Sequence, residues 1–279
     1  MKPAGPIFTA ELLPVLDEKL VSLLRSISGK EWYKQTIAPE WKVKDVAAHL
    51  LDGNIRSLSM LRDGYVGEQP GNINSNKDLV SFLNQLNADW VRAMKRVSPA
   101  MIIELLLITG KEYCTMLQSL DPFANAVLPV AWAGETQSPN WFHIAREYTE
   151  KWHHQQQIRL AVGQAGPLYT KELYHPHLDT SMRALPFHYR NMTGNARDFI
   201  RIFITGDGEG EWNLYNDGVN WFLMSEISGR SVCEITIDGT IAWRLFTKGI
   251  SRAEAVKYVT FSGRADLGEK ILDMLAVMA

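Results

Sequence analysis

The chain has 279 residues, of which 46% are hydrophobic and 22% are charged, and its formal net charge is −2. This composition is typical of a globular protein with a hydrophobic core, and at this length we expect two domains. The nearly balanced charge excludes a broad positive field for nucleic acid, and no basic run predicts binding to a membrane surface.

The N-terminal segment and the cysteines predict a cytoplasmic protein. Residues 1–20 contain prolines and charges and lack a continuous apolar stretch, which argues against a secretory signal. The most apolar short run, 101–110, is interrupted by Glu104 and is too short to span a bilayer. Cys114 and Cys233 lie far apart in apolar patterns, so we interpret them as buried free thiols of a reducing compartment.

The first 165 or so residues have apolar side chains at the three- and four-residue spacing of amphipathic helices. We predict helices at 9–28, at 42–64 and from about 140 to 162, and one or two helices over 77–120. A polar loop is predicted at 71–76. An interruption is expected at Ser98-Pro99, because the residue before a proline disfavours the helical conformation. Long helices with short or medium connections predict a four-helix bundle.

After residue 166 the pattern changes to alternating apolar residues separated by Gly, Asp and Asn turns. The predicted elements are a short helix at 180–190, strands at 198–206, 210–217, 220–226 and 231–238, helical spacing over 240–259, a brief strand at 260–263 and a closing helix at 265–279. The strands are expected to pair as antiparallel hairpins. We therefore predict an all-α domain over 1–166 and a smaller α+β domain over 167–279.

The helix predicted over about 140–162 carries the densest group of metal-ligating side chains. With about 100° of rotation per residue, Glu150, His154 and Gln157 lie within a sector of about 60°. An apolar stripe that includes Trp152 occupies the opposite side. His153 lies outside the row of Glu150 and His154. We therefore predict that Glu150 pairs with His154 and that His153 does not join them.

Two other histidines are weaker candidates. His143 lies on the same side as His154 but about 16 Å earlier along the helix axis, so we interpret it as a capping or surface residue. His49 follows Val46 in an apolar context, where histidine is more often a core residue than a ligand. An exposed pair of Glu150 and His154 would stabilise the helix by only about 0.2–0.5 kcal/mol. Because the opposite face is also apolar, we expect this helix to be packed on both sides and its carboxylate to need a partner or a metal.

Two motifs resemble the DinB-like superfamily of metal-binding proteins. The stretch EWKVKDVAAHLLDG, residues 40–53, is similar to the first ligand motif of that superfamily. The stretch REYTEKWHHQQQIRLAVG, residues 146–163, resembles the later motif of its mycothiol-dependent maleylpyruvate isomerase branch. The resemblance implies that His49, Glu150 and His154 bind the metal, which would be zinc, with nickel as the alternative.

The resemblance extends to the C-terminal part and implies a function. Residues 243–279 are similar to the C-terminal domain of the isomerase branch, which is related to sterol carrier folds. In such proteins a metal binds and activates a low-molecular-weight thiol such as mycothiol or bacillithiol. The resemblance thus implies a cytoplasmic isomerase or transferase, a monomer or a homodimer, in which a metal-bound thiolate attacks a small-molecule electrophile or carboxylate substrate.

Two further residues are assigned from the resemblance. Gln157 stands three residues after a ligand histidine, where relatives often carry aspartate, and we assign it to cofactor binding. The arginine that relatives place in the C-terminal domain is assigned to Arg244, with Arg264 and Arg190 as alternatives. Such an arginine would bind a substrate carboxylate through two parallel hydrogen bonds.

Two other functions are compatible with the same residues. In the first, the metal is structural and the sterol-carrier-like domain binds an apolar ligand with the help of Trp212, Trp221 and Trp243. In the second, the metal activates a water molecule for hydrolysis. Fold analogy alone does not separate these functions from thiol chemistry.

Overall fold

The computed structural model describes residues 1–72 and 75–277, so the predicted loop at 71–76 lies partly outside the described residues. The N-terminal part is helical, as predicted. Its long helices are α1 (Leu13–Ser26), α2 (Val43–Ser57), α3 (Asn76–Met94), α4 (Pro99–Gln118) and α5 (Asn140–Ala161). Helix α2 packs against α3, α4 and α5, and α1 packs against α4 and α5. The finer description as a four-helix bundle stays a prediction.

Local capping explains why the long apolar segment at 77–120 forms two helices. Ser98 ends the connection, and its hydroxyl accepts a hydrogen bond from the backbone N–H of Met101 at 3.2 Å. Pro99 then occupies the first turn of α4, where its missing N–H is not needed. Helix α2 continues into a π-helical turn over Leu58–Arg62. No helix among the described residues is long and apolar enough to cross a membrane.

The C-terminal part combines short helices with a mixed sheet. The helices are α6 (Lys171–Met182), α7 (Leu185–Tyr189), α8 (Gly239–Phe246), α9 (Arg252–Ala255) and α10 (Ala265–Lys270). The described strands are β1 (Lys2–Pro3), β2 (Phe199–Ile204), β3 (Gly210–Asn216), β4 (Trp221–Glu226), β5 (Cys233–Ile237) and β6 (Val259–Gly263). They form one sheet in the order β1-β4-β3-β2-β5-β6. The predicted change from helices to a mixed α and β region is confirmed.

The pairing of the sheet corrects one prediction and adds one strand that was not predicted. Strands β2 and β5 pair in parallel, with Ile202 opposite Ile235, whereas only antiparallel pairs were predicted. Strand β1 pairs with β4 at the sheet edge, although two residues are too few to carry an alternating pattern. The helix predicted over 265–279 ends at Lys270 and is followed by a 3-10 turn and an extended Met274, and residues 278–279 of that prediction lie outside the described residues. The short helix predicted at 180–190 is the end of α6 together with α7.

A continuous core joins the helical part to the sheet region. Trp152 of α5 is fully buried, and its ring stacks on Tyr174 of α6 with the centroids 4.7 Å apart. The ring of Trp243 from α8 meets Trp152 edge-on at 5.9 Å. The Tyr148 hydroxyl donates a hydrogen bond to the Leu173 carbonyl oxygen at 2.6 Å. The apolar stripe of α5 is therefore its contact with the C-terminal elements, and the domain boundary at residue 166 stays a prediction.

Gly110, in the middle of α4, permits the close approach of a charged side chain. A β-carbon at this position would lie 2.5 Å from Asp17 Oδ2, and Asp17 is held by Lys151 Nζ at 2.7 Å. We expect Gly110→Ala to lower the free energy of unfolding by about 1–3 kcal/mol through overpacking, despite the higher helix propensity of alanine. Gly53→Ala in α2 is the matched control, because a β-carbon there meets no atom within 4 Å. Urea unfolding measures both, and a Gly110→Ala protein as stable as the wild type would contradict the close contact.

Candidate metal centre

Helix α5 brings three potential metal ligands together. Glu150, His153 and His154 each offer a ligand atom, and these atoms lie within 4.8 Å of one another. Both imidazoles are buried, whereas Glu150 is partly exposed. The side chains of α5 are buried on most of its faces, as expected for a helix packed on both sides.

Gln157 determines which nitrogen of His154 is available. His154 Nδ1 lies 3.0 Å from Gln157 Oε1, which can only accept, so the Nδ1–H donates this hydrogen bond. His154 Nε2 faces Glu150 Oε2 at 3.5 Å. When His154 is protonated on both nitrogens, Nε2–H is directed at this carboxylate. When His154 is neutral, Nε2 presents a lone pair to it, and a metal ion would fit the two acceptors.

His153 joins the cluster, contrary to the sequence-based expectation. Its Nδ1 lies 2.9 Å from the Thr149 carbonyl oxygen, so Nδ1–H donates and Nε2 keeps its lone pair. The rings of His153 and His154 are 3.9 Å apart. An angular offset of about 60° at the β-carbons of a helix corresponds to about 3 Å, and an imidazole side chain spans that distance. A position outside the helix face that Glu150 and His154 share therefore does not exclude His153 from their cluster.

His49 of α2 lies directly beside the cluster. Its ring centroid is 4.6 Å from that of His154, in an edge-to-face arrangement. Its Nδ1 is buried and makes no hydrogen bond within the described part of the chain. The ring of Trp41 lies 4.7 Å from that of His49 and 5.9 Å from that of His154, so it covers both imidazoles. The structure thus places His49 beside His154 but outside the group of ligand atoms that converge within 4.8 Å, and its role as a metal ligand stays a prediction.

Burial dominates the electrostatics of the cluster. It lowers the pKa of His153 to about 4, and a positive charge on His154 adds to the effect. Burial also lowers the pKa of His49 well below its ordinary value, again with repulsion from His154. For Glu150, burial alone would raise the pKa, but attraction by His153 and the hydrogen bond and charge of His154 outweigh it. Burial therefore favours the neutral forms of His49 and His153 at neutral pH.

These donors fit a divalent metal ion. Two imidazole nitrogens and a carboxylate oxygen are ligands that zinc commonly takes. The hydrogen bonds to Gln157 and to the Thr149 carbonyl keep the Nδ1 protons in place, so the Nε2 lone pairs of His153 and His154 remain available. Three protein ligands leave a coordination position open, which is characteristic of catalytic zinc sites.

Removing the hydrogen-bond acceptor from Gln157 is expected to weaken metal binding. Loss of such an outer partner commonly costs about 10- to 100-fold in metal affinity, so we expect this loss for Gln157→Leu. Gln157→Glu retains the acceptor for His154 Nδ1–H and is the matched control. Zinc titration calorimetry measures both variants. Equal zinc affinities of Gln157→Leu and the wild type would show that Gln157 does not orient His154. In that case cofactor binding remains the predicted role of Gln157.

Arg244 lies near the loop that covers the cluster. Its Nε donates to the Gly249 carbonyl oxygen at 3.3 Å, and its side chain is half-buried. Gly249 packs so closely on Ile37 that a β-carbon would come 2.8 Å from Ile37 Cδ1. Ile37 belongs to the same loop as Trp41. This position keeps Arg244 as a candidate for substrate binding from the C-terminal part.

The alternative arginines have other partners. Arg190 donates to the Phe187 carbonyl oxygen at 2.5 Å, and its guanidinium lies over the Phe187 ring. Arg264 forms an ion pair with Asp266 at 2.6 Å. Among the described residues, no hydrogen bond or ion pair joins either arginine to the histidine cluster.

The tryptophans suggested for an apolar ligand are part of the core. Trp212, Trp221 and Trp243 are all buried. Their indole N–H groups donate to the Asp179 carboxylate, the Met192 carbonyl oxygen and the Tyr169 hydroxyl, respectively, at 2.8–2.9 Å. These rings contribute to packing, which removes the specific support for an apolar-ligand site at these residues.

His143 is not the surface residue that we predicted. It is buried, with 2% of its surface exposed, and its Nδ1 accepts a hydrogen bond from Arg146 Nη2 at 2.8 Å. Arg146 in turn pairs with Glu147 at 2.6 Å, and Glu147 accepts from the Tyr113 hydroxyl at 2.7 Å. This network is buried by a contact with α4, which is distant in the sequence. The spacing of apolar residues in α5 therefore does not predict the burial of His143.

His177 of α6 was missed by the sequence interpretation. It is fully buried, its ring stacks on Trp152 at 4.4 Å, and neither ring nitrogen has a hydrogen-bond partner in the described residues. Its pKa is lowered by burial and by the charge of His153. Its position one turn after Leu173 and Tyr174 indicated burial, but the spacing does not reveal which helix covers it.

The chain matches a known protein family and is similar to solved structures. The family of the mycothiol maleylpyruvate isomerase N-terminal domain matches residues 13–159, more than half of the chain, from α1 into α5. The crystal structure of the mycothiol-dependent maleylpyruvate isomerase is similar over 91% of each chain, with 10% identity and a TM-score of 0.48. The crystal structure of a histidine-to-alanine mutant of that enzyme covers the same shares, with 9% identity and a TM-score of 0.49. No curated protein matches the chain.

Proposed function

Because the chain belongs to the mycothiol maleylpyruvate isomerase N-terminal domain family, we propose that it is a metal-dependent enzyme that uses a low-molecular-weight thiol. Its reaction would be isomerisation of a small electrophilic substrate or transfer of the thiol to that substrate. The observation that carries this proposal is the convergence of potential ligand atoms of Glu150, His153 and His154 within 4.8 Å of one another.

The side chains of the cluster have separate tasks in this proposal. Glu150 and His154 would hold the metal together with His49 or His153, and Gln157 would hold the His154 ring in the required tautomer. The bound metal and thiol would supply a thiolate, which is the nucleophile for reversible addition to an activated double bond or for transfer. Trp41 would limit the access of water to the imidazoles that it covers.

Arg244 is proposed to orient the substrate. Its Nε is used by the Gly249 carbonyl oxygen, and the two terminal nitrogens remain able to bind a carboxylate in the bidentate manner. Its place beside the loop of Ile37 and Trp41 would bring such a carboxylate to the covered side of the cluster. Zinc remains the first choice of metal, with nickel second, and mycothiol or bacillithiol the proposed thiols.

Titration of the zinc-loaded protein with mycothiol, bacillithiol and glutathione tests the function. We expect one of these thiols to bind with a measurable heat only when the metal is present, because the metal stabilises the thiolate. Metal-free protein prepared by chelation is the control. If none of the thiols binds in a metal-dependent way, the proposed thiol chemistry is wrong and a metal-binding role without a thiol becomes the better interpretation.

A further inference from the structure

The face of α2 that carries His49 continues through Gly53 to Arg56. Residues four and seven positions after His49 lie on its side of the helix, about 6 Å and about 10 Å further along the axis. Helical side chains lean toward the helix N-terminus, so Arg56 reaches back toward His49.

Gly53 leaves a gap between these two side chains. A β-carbon at Gly53 would meet no atom within 4 Å, in contrast to Gly110, where it would clash with Asp17. Glycine inside a helix is less favourable than alanine, and no contact in the folded protein requires its small size at this position. The open side of α2 therefore adjoins the candidate metal centre and leads from it to Arg56.

Arg56 has unused hydrogen-bonding capacity. Its Nε forms an ion pair with Oδ2 of the buried Asp52 at 3.0 Å. The Arg56 side chain is 43% exposed, and Asp52 is its one ion-pair partner among the described residues. The terminal nitrogens of a guanidinium held in this way match the two oxygens of a carboxylate.

We propose that Gly53 and Arg56 form an anion subsite in which Arg56 binds the carboxylate of a molecule that lies over Gly53 and extends to the metal centre. The subsite deepens the proposed function and rests on it, since it assigns a carboxylate to the molecule that binds there. This carboxylate belongs either to the thiol or to the electrophilic substrate. A carboxylate from the thiol and one from the substrate would bind Arg56 in the same way. Test ligands that carry a carboxylate with or without a thiol distinguish the two sources.

Three simple ligands of the zinc-loaded protein test the subsite by calorimetry. Maleate has carboxylates and no thiol, 3-mercaptopropionate has both groups, and 2-mercaptoethanol has an uncharged thiol. We expect Arg56→Gln to weaken at least one of the two carboxylate ligands by about tenfold or more, as for loss of a charged hydrogen bond, and to leave 2-mercaptoethanol unchanged. A loss for maleate identifies the substrate as the source, and a loss confined to 3-mercaptopropionate identifies the thiol.

Three further variants separate the subsite from a fold defect. Arg56→Lys keeps a positive charge beside buried Asp52, and we expect an intermediate loss because lysine lacks the bidentate fork. Gly53→Leu fills the gap while leaving Arg56 in place, and should weaken the same ligands. Arg62→Gln is the matched control, because Arg62 is similarly exposed and pairs with Asp63 at 2.7 Å.

Unchanged affinities for maleate and 3-mercaptopropionate in both Arg56→Gln and Gly53→Leu would overturn the inference. A wild-type protein that binds neither zinc nor 2-mercaptoethanol would instead refute the proposed function. In that case maleate titration of the metal-free protein still decides about the subsite. Maleate binding that depends on Arg56 would support it, and maleate binding that is absent or independent of Arg56 would contradict it.

Discussion

His154→Ala is expected to lower the zinc affinity by more than about 100-fold, because loss of an outer partner alone costs about 10- to 100-fold. His154 belongs both to the ligand set implied by the resemblance and to the cluster in the structure. Its Nε2 faces Glu150 at 3.5 Å, and its Nδ1–H is held by Gln157. Zinc calorimetry and metal content after dialysis measure the effect.

The control for this variant is a histidine outside the cluster. His175 of α6 is partly exposed, hydrogen-bonds to the Glu209 carbonyl oxygen at 3.0 Å and stacks on Trp212. We expect His175→Ala to bind zinc as the wild type does. Undiminished zinc binding by His154→Ala would refute the metal centre itself.

His49→Ala and His153→Ala then identify the third ligand. The ligand atoms of His153 lie in the cluster, whereas His49 contacts His154 through its ring. If one of these variants loses as much zinc affinity as His154→Ala, the replaced histidine is a metal ligand. A smaller loss of zinc affinity indicates a histidine that contacts a ligand and not the metal. The prediction of His49 as a ligand would be contradicted by unchanged zinc affinity in His49→Ala.

Trp152→Ala is expected to lower the free energy of unfolding by about 3–5 kcal/mol, the usual cost of removing a buried tryptophan. Trp152 is a fully buried residue of α5 on the side that faces the C-terminal elements. There its ring contacts Tyr174, His177 and Trp243. Its removal would leave a cavity between rings that belong to two other helices, α6 and α8. Urea unfolding followed by circular dichroism measures the change.

Trp141→Ala is the matched control on the same helix. Trp141 is only partly buried, stacks on Phe142 at 5.2 Å and lies 5.6 Å from the guanidinium of Arg183. We expect a smaller loss than for Trp152→Ala, because part of the ring already contacts water. A loss of less than about 1 kcal/mol for Trp152→Ala would contradict the inference that this ring joins the two parts of the core.

Local patterns predicted much of the fold. The helical segments follow from apolar spacing, and the start of α4 follows from capping by Ser98 and from Pro99. The strands β2 to β6 agree with alternating patterns and turn residues. These patterns depend on residues that are close in the sequence, so they predict local structure without knowledge of the tertiary fold.

The sheet order and the environment of several histidines needed contacts between distant residues. The parallel pair of β2 and β5 joins Ile200 to Cys233, and no alternation pattern specifies that partner. Burial of His143 depends on the network that reaches Tyr113 of α4, and burial of His177 depends on Trp152 of α5. Periodicity identifies a face of a helix, and packing determines what that face contacts.

Local patterns in the sequence predict most of the helices, the change to a mixed sheet and the pairing of Glu150 with His154, because residues four apart on a helix are neighbours wherever it packs. The folded structure adds that His153 enters the cluster, that His49 and Trp41 lie beside it, and that Gly53 leaves a gap toward Arg56. These features depend on side-chain reach and on the packing of α2 on α5, which the contacts of the whole core set and the spacing of one helix does not contain.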